Sequence, residues 1–180
     1  MHSTTISEGK MIINNQSTDS CIVTKNIRFP VSFDAEAECT WISGETNKGF
    51  GMIIGNDPIT CLKFTITANG YFSVFRWLGK NGLKWFSPIV YGWTKTDLID
   101  TSPNAKNVIS IQKTDWYMHN VGMIAFYING TLVARNIFYI SPPAGGSGTQ
   151  FSKDGVIGLF SYGNLNSIIL MNIKMSGLLK

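Results

Sequence analysis

Apolar and polar residues alternate along residues 31–42. Val31, Phe33, Ala35, Ala37, Cys39 and Trp41 fall on one side, and Ser32, Asp34, Glu36, Glu38 and Thr40 on the other. Strand side chains alternate with period two, so this segment predicts a strand with one core face and one wet face, Trp41 ending the core face. Helical spacing is nearly absent elsewhere, while β-rich runs recur between Gly, Asn, Asp and Pro along the whole chain.

Residues 50–55 and 60–68 are rich in Ile, Thr and Phe, and the pattern resumes at 71–77 after Asn69-Gly70. Asn-Gly suits the two positive-φ positions of a type I′ hairpin turn, and Asn129-Gly130 between 121–128 and 131–137 repeats the signal. Gly79-Lys80-Asn81-Gly82 reads as a slightly longer hairpin loop before 83–86. The polar stretch 97–106 reads as an internal loop, and the Pro/Gly/Ser-rich 141–148 as a long surface loop before strands at 156–162 and 167–175. Roughly ten to twelve short strands do not fit one sheet without curling or splitting. The prediction is therefore all-β, a two-sheet antiparallel β-sandwich: residues 21–180 form a single domain, and 1–20 an N-terminal extension or first edge strand.

The 180 residues are 44% hydrophobic and 14% charged, with mean hydropathy +0.08, which is enough apolar material for a two-sided core. The net charge of +4 comes from scattered lysines without a basic cluster, so nucleic acid is not an expected partner. No apolar run approaches the roughly 20 residues of a spanning helix, so membrane insertion is not expected. The first ten residues are polar; a signal peptide is absent or was removed, which leaves a cytoplasmic, secreted or cell-surface location open. Cys21, Cys39 and Cys61 have no CxxC spacing, against a zinc site and a disulfide framework, with one bridge plus one free thiol left open.

The run from Phe33 through Trp41 to Gly44, then Asn47-Lys-Gly49-Phe-Gly51-Met-Ile-Ile-Gly55, resembles the early strands of bacterial concanavalin A-like (laminin G-like) lectin/glucanase jelly-roll domains. So do Phe64 to Asn69-Gly70-Tyr71, Trp93, Asn107-Val-Ile-Ser-Ile111, Phe126-Tyr-Ile-Asn-Gly130 and Gly155-Val-Ile-Gly158. The resemblance, also to the domain of 3-keto-disaccharide hydrolase proteins, implies a jelly roll. Its relatives include lectins, carbohydrate-binding modules and laminarinase-type glycosidases, so function has to be argued from a site.

Asp34, Glu36 and Glu38 resemble the Glu-x-Asp-x-Glu strand of laminarinase-like enzymes, but Asp34 stands where a Glu nucleophile is expected and Glu36 where the helper Asp would be. Alternation alone produces such an acidic wet face. His2 and His119 have no serine elbow to serve. Calcium would need converging oxygens; Asp97 with Asp100, or Asn56-Asp57, supply some, but their spacing forms no recognisable loop, and no cofactor is expected. Trp77, Trp85, Tyr91 and Trp93 cluster with Arg76, Lys80, Asn81 and Lys84 interleaved. Flat rings stack on the C–H faces of sugars while amide and charged groups bond their hydroxyls, so Trp77, Trp85, Trp93, Tyr91, Arg76 and Lys84 are the expected ligand contacts. The competing explanation is core packing. The expected function is a non-catalytic, carbohydrate-binding module; the alternatives are a glycoside hydrolase using the three carboxylates, or a protein-interaction module with a protein partner. Oligomeric state is open. The sequons at Asn15 and Asn129 carry no expected function.

Overall fold

A computed structural model describes residues 2–7, 10–15, 19–29, 32–58, 60–80, 83–88, 92–116, 121–139, 154–162 and 167–178. They hold β1 (His2–Ser7), β2 (Lys10–Asn15), β3 (Cys21–Arg28), β4 (Ser32–Ser43), β5 (Gly49–Asp57), β6 (Thr60–Thr67) and β7 (Tyr71–Lys80). These are followed by β8 (Leu83–Pro88), β9 (Thr94–Lys95), β10 (Lys106–Trp116), β11 (Val121–Ile128), β12 (Thr131–Tyr139), β13 (Asp154–Ser161) and β14 (Ser167–Leu178). The first sheet runs β1-β2-β14-β4-β10-β11-β12, and the second β3-β13-β5-β6-β7-β8, with β9 also paired to β7. Every pairing is antiparallel. Among the described residues, no helix is long and apolar enough to cross a membrane.

The period-two pattern is realised in β4 as far as Cys39: Phe33, Ala35, Ala37 and Cys39 are buried and Asp34 and Glu36 exposed, while Thr40, expected on the wet face, is buried and Trp41 is half-buried against the core. Opposing faces supply the core, with Ile109, Ile111, Ile124 and Ile128 from the first sheet against Met52, Ile54, Leu62, Ile66 and Leu159 from the second. Phe64 and Phe126 meet edge-on across the sandwich, centroids 5.3 Å apart at 70°. Each such buried side chain contributes about 1.5–3 kcal/mol.

The first twenty residues supply a hairpin: β1 pairs with β2, and β2 with β14. Asn15 closes it onto the opposite sheet. Fully buried, it donates from Nδ2 to the Asp19 carbonyl (2.9 Å) and to Ser161 Oγ (3.2 Å).

Asn129 (φ 48°) and Gly130 (φ 81°) have the two positive φ angles expected of their turn. At Asn69-Gly70 only Gly70 does (φ 87°). Three residues, not two, separate the strands there, and Gly70 N–H donates to the Thr67 carbonyl (3.1 Å), as in a type I turn closed by a left-handed residue. Thr67 Oγ1 donates to Asn69 Oδ1 (2.7 Å), which holds Asn69 without a positive φ. Lys80 pairs with Leu83, so the β7–β8 connection is only residues 81–82, shorter than expected; these lie outside the described residues, as does the 141–148 loop.

The loop between β9 and β10 is latched by two amides. Asn129 Oδ1 accepts from Val108 N–H (2.7 Å), and its Nδ2 donates to the Leu98 carbonyl (2.7 Å) and to Asn107 Oδ1 (3.0 Å). Asn107 Oδ1 accepts from Asp100 N–H (2.8 Å) and its Nδ2 donates to the Asp100 carbonyl (2.9 Å). Both sequon asparagines thus have their amides engaged.

All three cysteines are free and buried. Burial, with Glu38 adding to it, holds the Cys39 thiol above the ordinary range. Burial pushes Cys61 up to about 11, against the lowering effect of Lys63.

Asn129→Ala removes the latch and leaves a left-handed Ala, so a loss of about 2 kcal/mol is expected, read as a fall in Tm of roughly 4–8 °C. Because only thiolate reacts, an Ellman-type reagent at pH 8 should leave Cys39 and Cys61 unlabelled in the native chain and label all three thiols in denaturant. Fast labelling of two or more native thiols would contradict their enclosure.

Candidate functional site

The two outer faces are unlike. In the first sheet β4 shows wet alternation, whereas in the second β5 is buried from Gly49 to Gly55, β6 from Cys61 to Thr67 and β13 from Gly155 to Ser161. Inward alternation leaves Cys61, Lys63 and Thr65 pointing outward, with Ile53 opposite Lys63 on β5, and Phe75 and Ser73 opposite Lys63 and Thr65 on β7. An outward residue becomes buried only if something covers it.

Among the described residues the cover is aromatic. Lys63, 0% exposed, holds its ammonium 3.8 Å from the Trp77 ring centroid, 5.1 Å from that of Phe160 and 5.4 Å from that of Tyr162. Cation–π attraction is worth about 2 kcal/mol or more once desolvated. Phe160 and Tyr162 meet edge-on (5.3 Å, 81°), as do Phe75 and Trp93 (6.2 Å, 73°). Burial, with a smaller push from Cys61, raises the Tyr162 phenol to about 12, so it is a hydrogen-bond donor at neutral pH. A Cβ on Gly49 would collide with the Thr65 methyl and come within 2.8 Å of Trp93 Cη2 and 2.9 Å of Tyr162 Cδ2, so only glycine lets those two rings close over β5 and β6. Trp93 is 43% exposed; below it Thr65 and Ser73 are 0% exposed.

Of the sequence-expected contacts, Trp77 and Trp93 are brought to this face. Arg76 is paired with Leu62 and Ser87, alternating away from Trp77. Trp85 is paired with Leu78 and Lys84 with Gly79, their side chains lying outside the described part of the structure. Tyr91, Asn81 and His119 lie outside the described residues. Asp34 and Glu36 are exposed on the outer face of the first sheet, opposite Gln112 and Ser110, and Glu38 pairs with Lys106 at 3.1 Å. Asp97 is exposed, and Asp100 accepts from Ser102 N–H (2.9 Å), which lowers its carboxyl pKa. Among the described residues no three His, Cys, Asp or Glu side chains gather around a common point.

Sequence reasoning missed Lys63, Thr65, Ser73, Phe75, Phe160 and Tyr162. Alternation about Leu62, Phe64 and Ile66 does turn Lys63 and Thr65 outward, but it reads as a wet face; the cover comes from Trp77 on the next strand and from residues about 30 and 100 positions downstream of Lys63.

No protein-family model matches the chain, and no curated protein matches it by sequence. Solved structures are similar in fold. A legume lectin-like domain from Entamoeba histolytica has TM-score 0.61 at 14% identity, covering 98% of this chain and 88% of that one. The Emp46p carbohydrate recognition domain, in a metal-free form, has TM-score 0.62 at 8% identity over 99% and 88%. BuGH16Bwt has TM-score 0.58 at 12% identity over 97% and 78%. The chain is an antiparallel β-sandwich with the concanavalin A-like jelly-roll fold that lectins and glycosidases share.

Proposed function

We propose that the protein is a carbohydrate-binding module and that its ligand face is the outer face of the second sheet around Trp77, Trp93, Tyr162 and Lys63. The observation that carries this reading is the half-exposed Trp93 ring over a sheet face that also holds a tryptophan, a tyrosine and an enclosed cation. A pyranose offers an apolar C–H face for ring stacking and hydroxyls for polar groups at the rim, the pairing small-ligand sites provide. Names among the fold neighbours support the reading: one is a legume lectin-like domain and another a carbohydrate recognition domain. Asp34, Glu36 and Glu38 have the environment of a solvated strand face, which favours binding without hydrolysis.

A glycan array probed with the folded chain should give specific hits that Trp93→Ala weakens at least about tenfold, close to 1.4 kcal/mol, while near-ultraviolet dichroism stays native. Repeating the array with calcium and with chelator separates metal-assisted from metal-free binding. Hits that survive both Trp77→Ala and Trp93→Ala, or a blank array, would reject this face as a sugar site and turn attention to a protein partner.

A further inference from the structure

We infer that the Thr65 and Ser73 hydroxyls form a concealed hydrogen-bonding subsite for the hydroxyls of a neutral pyranose, uncovered when the Trp93 indole lifts from the sheet. The inference rests on the reading of this face as a sugar-binding surface. Thr65 and Ser73 are cross-strand partners on β6 and β7, and both oxygens are buried with no hydrogen-bond partner among the described residues. Burying a hydroxyl without a partner is destabilising, and Val and Ala would fill the same space without that penalty. Polar groups that lower stability are characteristic of sites kept for function.

Trp93 lies across the pair. It directly precedes β9, whose Thr94 pairs with Phe72, so continuing the register places Trp93 opposite Ser73. The tip of its ring reaches Gly49, on the strand beyond Thr65. The preceding Gly92 has φ 74° and, among the described residues, nothing within 4 Å of where a Cβ would stand, so the backbone leading into Trp93 is glycine at an open position. Lifting it would bare two hydroxyls on adjacent strands, about 5 Å apart at their Cβ atoms, a span that neighbouring hydroxyls of one sugar ring bridge. Each protein hydroxyl both donates and accepts, which suits a ligand hydroxyl better than an anion.

The test follows the indole resonances of the five tryptophans by NMR while methyl glucoside, galactoside and mannoside are titrated into wild type and Thr65→Val/Ser73→Ala. The double variant should melt about 2–4 °C higher than wild type, and its pyranoside affinity should fall at least about tenfold. A lower Tm, or wild-type affinity, would overturn the inference. Loss of binding in Trp77→Ala with none in the double variant would leave the sugar reading standing and remove the subsite. If none of the three pyranosides shifts any wild-type indole, the sugar reading falls and the subsite with it. Should the double variant not fold, Ser73→Ala alone carries the same two readouts.

Discussion

Much of the structure depends on β6 being enclosed from both sides. Its inward residues Leu62, Phe64 and Ile66 close the sandwich, Phe64 against Phe126, while outward Lys63 and Thr65 lie under rings. The first enclosure is ordinary hydrophobic burial. The second removes a cation and hydroxyls from water, a cost that the Trp77 ring offsets for Lys63 and that nothing described offsets for Thr65 Oγ1. The core and the candidate site are therefore two sides of one sheet, fixed by the same register: a one-residue slip of β6 would put Lys63 into the core and Phe64 under Trp77.

The first sheet shows how different an outer face is without that cover. Its outward carboxylates on β4 are solvated, and the ion pair of Lys106 with Glu38 has both partners substantially exposed. Such a pair contributes little to stability. It lies on a polar stretch of that face along β4 and β10, while the outer face of the second sheet concentrates aromatic side chains. That inequality is what makes the second sheet the place to look for a ligand.

How much was legible follows from the range of each signal. The β4 alternation and the Asn129-Gly130 turn are local, written in adjacent residues, and the structure reproduces both. Asn69-Gly70 carried the same dipeptide but a different turn, because Thr67 supplies a side-chain hydroxyl that holds Asn69 in another conformation. Trp77 and Trp93 stood out as large aromatics on or beside a hairpin and its exit. Lys63 did not, since a lysine at an outward position reads as solvated until Phe160 and Tyr162, nearly a hundred residues on, are known to close over it. Arg76 looked like a rim partner because it is adjacent to Trp77 in sequence, yet adjacency in a strand means opposite faces.

The N-terminal hairpin has a meaning beyond completing the count of strands. Without β2, the twelve-residue β14 would be the border of its sheet, presenting a long row of unpaired backbone groups beside the apolar sequence Ile168-Ile169-Leu170-Met171. Long flat borders of that kind template association between chains. With the hairpin in place and Asn15 tying it to Ser161, the border along residues 167–171 passes to six-residue β1, whose sequence is mostly Ser and Thr. The N-terminal hairpin thus occupies the backbone groups beside the apolar end of β14, the part of that strand on which another chain would most readily pair.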